Sequence, residues 1–150
     1  MELHDIKTLL LFPPQLHNKL VKFVPYEPPL GLAYLAATLR NYNYNVKILD
    51  CLALKLSPNQ IVDKIKAYEP NVIGIYCLTS NRFDAFATAA LAKEASPGSV
   101  ICMGGPHVSS AAEDTLSHVP TIDVIVRGEG EYSMLDLVQS IEKGECFSKV

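Results

Sequence analysis

Five short apolar runs, separated by stretches whose apolar residues recur at helical spacing, constrain this chain more than any other feature. The runs are IKTLLLF from Ile6, NVKILDC from Asn45, NVIGIYCL from Asn71, SVICM from Ser99 and IDVIV from Ile122. Each is nearly continuous and rich in Ile, Val and Leu, the pattern of a strand covered on both faces. Between them Leu32, Leu35, Ala36 and Leu39 recur at i, i+3, i+4 and i+7, as do Phe83, Phe86, Ala87 and Ala90, and Met134, Leu137, Val138 and Ile141. Each set predicts one apolar stripe on a helix, and Ile61 with Ile65 predicts the inner face of another. Ser57 with Gln60, and Ser110 with Glu113, read as capping boxes, the first with Pro58 opening its helix. A third helix is expected to start near Asn81, with Asp84 in its first turn facing the positive end of the dipole.

Strand and helix thus alternate five times, which predicts an α/β fold with a parallel sheet and helices on both of its faces. Five strands suit the order 2-1-3-4-5 better than the six-stranded dinucleotide fold. At 150 residues the chain is one domain. Ligands in such sheets bind at the carboxyl ends of the strands, beside the point where strand order reverses. The loops of interest therefore begin near Pro13, Asp50, Thr79, Gly104 and Arg127.

Composition narrows the function. A formal net charge of -3 offers no electrostatic footprint for nucleic acid. No apolar run approaches the roughly 18 residues of a membrane span, and no signal-like start is present, so a cytoplasmic protein is expected. Cys51, Cys77, Cys102 and Cys146 form no C-x-x-C pair and read as small buried hydrophobes rather than metal ligands or redox groups. The glycine-rich dinucleotide fingerprint should follow the first strand, where FPPQLHN has no glycine. A flavodoxin-like phosphate loop is missing from the same place, leaving FMN a minor alternative. The third strand ends in CLTSN, without the acceptor aspartate that a receiver domain needs.

Two loops carry the candidate site. Leu78 to Asn81 offers the hydroxyls of Thr79 and Ser80 beside a helix start, for a ligand or for the helix's own cap. Gly104 and Gly105 dispense with two side chains before Pro106 and His107, allowing either positive φ or the close approach of a ligand. His107 stands alone, with no second ligand for a metal, and Glu129 and Glu131 are the only paired carboxylates at a loop end. Between Pro13 and Pro29 about 16 residues separate the first strand from its helix, against the usual 2–6. Leu16, Leu20, Val21, Phe23, Val24 and Tyr26 make that segment too apolar for a solvated linker, so it is expected to cover a ligand or a partner domain.

The segments PPLGLAYLAATLR, ILD, NVIGIYCLTSN, MGGPHVSS and IVRGEGE, in this order from Pro28 to Glu131, resemble the cobalamin-binding domain found at the N-terminus of many radical SAM enzymes, including the anaerobic magnesium-protoporphyrin monomethyl ester cyclases. The resemblance covers Ile6 to Ile141. It implies a Rossmann-like sheet of flavodoxin-type order, with the corrinoid over the strand ends and its nucleotide tail between sheet and helices. On that basis Leu78, Thr79 and Ser80 approach the corrin or tail, and Gly104 and Gly105 leave room for the tail. Pro106 and His107 border the corrin, and Gly128, Glu129 and Gly130 form the next wall. His17 has Gln15 and Leu20 where the better-known D-x-H-x-x-G motif has its aspartate and glycine, which implies cobalamin bound without a histidine ligand. Tyr76 replaces the serine of the family's S-x-L and is expected to narrow the tail channel. The cluster motif C-x-x-x-C-x-x-C is absent, so S-adenosylmethionine and a 4Fe-4S cluster would belong to a radical SAM domain elsewhere in a longer parent chain. The competing expectation is a degenerate domain, binding no cofactor, that docks a partner or recognises a substrate through its long loop.

Overall fold

The computed structural model describes residues 4–17 and 27–145. Five parallel strands, β1 (His4–Phe12), β2 (Tyr44–Asp50), β3 (Val72–Tyr76), β4 (Val100–Gly104) and β5 (Val124–Val126), form one sheet in the order β2-β1-β3-β4-β5. The helices are α1 (Leu30–Asn41), α2 (Pro58–Tyr68), α3 (Arg82–Ala95), α4 (Pro106–Ser110), α5 (Ala112–His118) and α6 (Glu131–Glu142). The parallel sheet, its 2-1-3-4-5 order and the helices on both faces are those the apolar runs predict. Most of the distal segment of the long first loop, with Leu20, Val21, Phe23, Val24 and Tyr26, lies outside the described residues, as does Cys146.

Alternation along each strand builds two cores. Leu9, Leu11, Ile73, Ile75, Ile101 and Met103 point to one face, where Ile61 and Ile65 of α2, Ala85, Ala89 and Ala92 of α3 and Val108 of α4 close over them. Leu10, Val72 and Cys102 point to the other face, under Leu32, Ala36 and Leu39 of α1 and Met134, Leu137 and Val138 of α6. Among the described residues no helix is long and apolar enough to cross a membrane.

The start of α2 forms the predicted capping box. Ser57 Oγ accepts from the Gln60 amide at 3.4 Å, and Gln60 Oε1 accepts from the Ser57 amide at 2.9 Å. The second box does not form. Ser110 closes α4 and donates its hydroxyl to the Pro106 carbonyl at 3.2 Å, while α5 starts after Ala111 without a side-chain cap. The glycines and Pro106 start a helical turn early, so the fourth crossover is split in two instead of beginning at Ser110.

The α3 stripe is displaced as well. The buried set is Asp84, Ala85, Thr88, Ala89 and Ala92, whereas Phe83 is 58% exposed. Small side chains let α3 lie close to the sheet and α2, and the phenylalanines that dominate the sequence pattern fall on its flank. Phe86 still packs against the edge of that core.

Candidate functional site

The second core does not fill at its upper end. In register across the sheet, Leu10 pairs with Gly74 and Gly74 with Cys102, while one pleat higher Tyr76 pairs with Gly104 and Gly104 with Val126. At Gly74 the space is taken up by Leu10 Cδ2 and Met134 Cε, each 2.9 Å from where a Cβ would stand, whereas at Gly104 it is left open. Phe12 completes the upper row, its ring stacked on Tyr76 with centroids 5.7 Å apart. The result is a cavity of about 350 Å³ at the carboxyl ends of the strands, beside the switch point between β1 and β3. Gly31, Leu32 and Leu35 of α1 and Met134 of α6 roof it, and Gly104, Gly105, Pro106, Gly128, Glu129 and Gly130 supply its loops.

The two loop-four glycines do different work. Gly105 has φ +115°, and a Cβ there would lie 2.5 Å from the Cys77 carbonyl oxygen, so its missing side chain serves the approach of β3 and the start of α4. That same carbonyl accepts from the His107 amide at 3.3 Å. A Cβ on Gly104 would meet only Val126, at 3.6 and 3.9 Å, which is ordinary contact. The space left at Gly104 belongs to the cavity. Ser109 ties the next loop in place: its hydroxyl donates to the Gly105 carbonyl at 3.0 Å and accepts from the Gly128 amide at 3.1 Å.

Of the residues singled out in the sequence, Gly104, Gly105, Pro106, Gly128, Glu129 and Gly130 come together around the cavity. Leu78, Thr79, Ser80 and His107 do not line it. They gather on the α3 side of the strand ends, where Thr79 Oγ1 lies 3.3 Å from His107 Nδ1 and the His107 ring tilts against Phe86 with centroids 6.3 Å apart. The Leu78 amide is already taken, donating to Asn81 Oδ1 at 2.8 Å, but Asn81, the N-cap of α3, makes no side-chain cap to that helix, so the capping reading of the loop is not realised. Gly31, Leu35 and Met134 also line the cavity and are not among the site residues expected from the sequence. Gly31, inside the quoted PPLGLAYL, carried the one available signal, a glycine in the first turn of a helix.

Tyr76 does narrow one side of the cavity, but Gly31 stands opposite, where even a Cβ would remain 3.8 Å from Tyr76 Cε2. His17 is engaged elsewhere. Its Nδ1 lies 2.7 Å from Asp84 Oδ1, which also accepts from the Leu16 and His17 amides at 2.9 Å each, and the histidine is not among the cavity's lining residues. Asp84, predicted to face the helix dipole, is buried by this role and fastens the start of the long loop to α3.

The three described cysteines are not placed as nucleophiles. The thiols of Cys51, Cys77 and Cys102 are buried, and burial pushes each up to about 12, far from the thiolate form. No group of three or more His, Cys, Asp or Glu side chains is placed to hold a metal ion. What the site offers is a largely apolar slot bordered by several glycines.

The model of the B12 binding domain family matches residues 20–138. This chain belongs to that family. Among the relatives of the B12-binding domain, an uncharacterized methyltransferase of Pyrococcus horikoshii is 41% identical over 141 residues, covering 93% of this chain and 30% of that protein. The anaerobic magnesium-protoporphyrin IX monomethyl ester cyclase of Rubrivivax gelatinosus is 34% identical over 137 residues, covering 91% of this chain and 25% of the cyclase. The chain thus spans under a third of the length of these curated relatives. In fold, it superposes on the radical S-adenosylmethionine methyltransferase TsrM of Kitasatospora setae with a TM-score of 0.80 at 16% identity, covering 93% of this chain and 26% of TsrM.

Proposed function

We propose that this B12-binding domain holds a corrinoid for a radical SAM catalytic domain in the same parent chain. The macrocycle lies over the carboxyl ends of the strands, and the nucleotide tail enters the cavity beneath α1 and α6. The observation that carries this reading is the cavity itself. At about 350 Å³ it is at the low end of the 300–1,000 Å³ typical of ligand sites, room for a ring and its sugar but not for a macrocycle. Its mouth opens where this topology places ligands. The relatives, a methyltransferase and a cyclase, support the wider role.

In this reading Gly104 gives the tail its space, and Gly105 and Pro106 fix the edge over which the tail passes. Gly128, Glu129 and Gly130 form the wall towards α6. Leu78, Thr79, Ser80 and His107, which stand outside the cavity on the α3 side, border the macrocycle. His17 keeps its Nδ1 on Asp84, in keeping with a corrinoid held by its tail and its rim. Bound cobalt would supply methyl transfer or assistance to a radical step; S-adenosylmethionine and the 4Fe-4S cluster would reside in the catalytic domain.

Titration with hydroxocobalamin tests the reading. A shifted corrinoid spectrum and coloured protein after desalting are expected, with no uptake of FMN in a parallel run. An unchanged spectrum with colourless protein would sink it and favour a docking domain instead.

A further inference from the structure

Helix α1 reads LGLAYLAATL before its first charge, at Arg40. Its inner side, Leu32, Ala36 and Leu39, fills the second core, as the fold requires. Its outer side is apolar as well: Leu30 is 66% exposed and Tyr34 63% exposed, and Ala33 and Ala37 are exposed beside them. The outer sides of α2 and α6 differ, with Asp63, Lys64 and Lys66 exposed on the first and Asp136 and Glu142 on the second. A helix that is apolar all round is one that is covered on both sides. Leu30, Tyr34 and Ala37 follow one another at i, i+4 and i+7, so they form one stripe, with Ala33 on its flank. Opposite charges bound that stripe: Glu27, exposed just before the helix, and Arg40 in its last turn. Arg40 spends one guanidinium N–H on the Val46 carbonyl, at 3.3 Å, and has others to donate.

We propose that the outer face of α1 is a self-association surface, on which α1 of a second copy of this chain packs antiparallel about a two-fold axis. A two-fold contact needs a surface complementary to itself, and antiparallel order supplies one. Centred between Ala33 and Tyr34, the pair sets Leu30 of each copy level with Ala37 of the other, a large side chain against a small one. The two Tyr34 rings meet beside the axis, where an aromatic pair adds to the burial of apolar surface. Glu27 of each copy is brought towards Arg40 of the other, whereas a parallel pair would set like charges together. Between those ends no charged group is desolvated. Because α1 runs against the strands, the strand-end faces of the two copies point in opposite directions, and the pairing does not depend on a bound corrinoid.

Sedimentation velocity of the unaltered chain, from micromolar to near-millimolar concentration, is expected to show a reversible monomer–dimer equilibrium. Tyr34→Lys, at an exposed position, should weaken association roughly tenfold or more and keep the parent's far-ultraviolet circular dichroism. Phe83→Lys is the control: it charges a comparably exposed side chain on α3, across the sheet, and should leave association unchanged. Glu27→Arg and Arg40→Glu should each weaken the dimer roughly three- to tenfold, since two symmetric pairs are lost, and the double variant should restore it. A chain that stays monomeric at every concentration overturns the inference and leaves the face to another occupant, such as a further domain of the parent chain. A dimer that Tyr34→Lys does not weaken, or that Phe83→Lys weakens as much, overturns it by placing the contact elsewhere. A double charge variant no better than the single ones overturns it by excluding antiparallel order.

Discussion

An alanine at position 105 would set its Cβ 2.5 Å from the Cys77 carbonyl oxygen on a backbone with φ +115°, whereas one at position 104 would meet Val126 at ordinary distances. The two substitutions should therefore separate in urea denaturation. Gly105→Ala is expected to lose at least about 1–3 kcal/mol, from the strained backbone before the clash is added. Gly104→Ala should leave stability unchanged or raise it by up to about 1 kcal/mol, because a strand glycine gives up more chain entropy than alanine. In the proposed role the order inverts for binding: Gly104→Leu should fill the tail space and abolish retention of hydroxocobalamin in a protein that still folds. Asp84 makes a second residue-scale case. Its Oδ1 accepts three hydrogen bonds, from two amides and the His17 ring, while the side chain is only 6% exposed. Asp84→Ala is expected to release the start of the long loop, read as faster amide exchange at Leu16 and His17 than in the parent.

Helices hold their ends through local chemistry that the sequence spells out, and the joints between elements hold through partners that it does not. The Ser57–Gln60 box is of the first kind; Ser57→Ala should lower stability by about 1 kcal/mol and the melting temperature by roughly 2–4 °C. The joint between β1, β2 and α6 is of the second kind. Glu142 receives the Tyr44 hydroxyl at 2.8 Å and lies 2.7 Å from His4 Nδ1, and the His4 and Tyr44 rings stack with centroids 4.3 Å apart. Glu142 is held below its ordinary 4.5, first by the Tyr44 hydrogen bond, which outweighs the opposing effect of burial, and then by His4. A lowered folded value means that this contribution is full above pH 4.5 and is lost as pH falls through the lower, folded value. Tyr44 is pushed up to about 12, by burial first and then by Glu142, so its contribution is full below pH 10.0 and is lost between there and about 12. Burial raises the three thiols from 9.0 to about 12 in the same sense, so the denaturation midpoint should be flat only between pH 4.5 and 9.0 and drop outside those limits. Glu142→Gln is expected to lower the plateau and flatten the acid limb, and an acid limb identical to that of the parent would contradict the assignment.

At the scale of the whole molecule, a ligand that binds only the folded chain raises its stability, by about 2.7 kcal/mol at a concentration a hundred times its dissociation constant. For a chain of this size hydroxocobalamin should then raise the melting temperature by roughly 5–10 °C in differential scanning calorimetry, and FMN should leave it unchanged. The sequence by itself determined the architecture, because burial on both faces forces near-continuous apolar strands and one-sided burial forces a helical period. Those signals are local, and so is the Ser57 cap. Tertiary structure decided everything that depends on which residues meet. Phe83 outweighs Ala85 in any apolar pattern, yet the close approach of α3 to the sheet selects the small residue. The long-loop reading of His17 could not include Asp84, more than sixty positions along the chain, because only the fold brings β1's loop to α3. The cavity arises likewise: register sets Gly104 between Tyr76 and Val126, and pairing between strands far apart in sequence leaves no periodic trace within either. Adjacent glycines at 104 and 105 read alike as letters, but the Cys77 carbonyl claims one for the backbone and leaves the space at the other open.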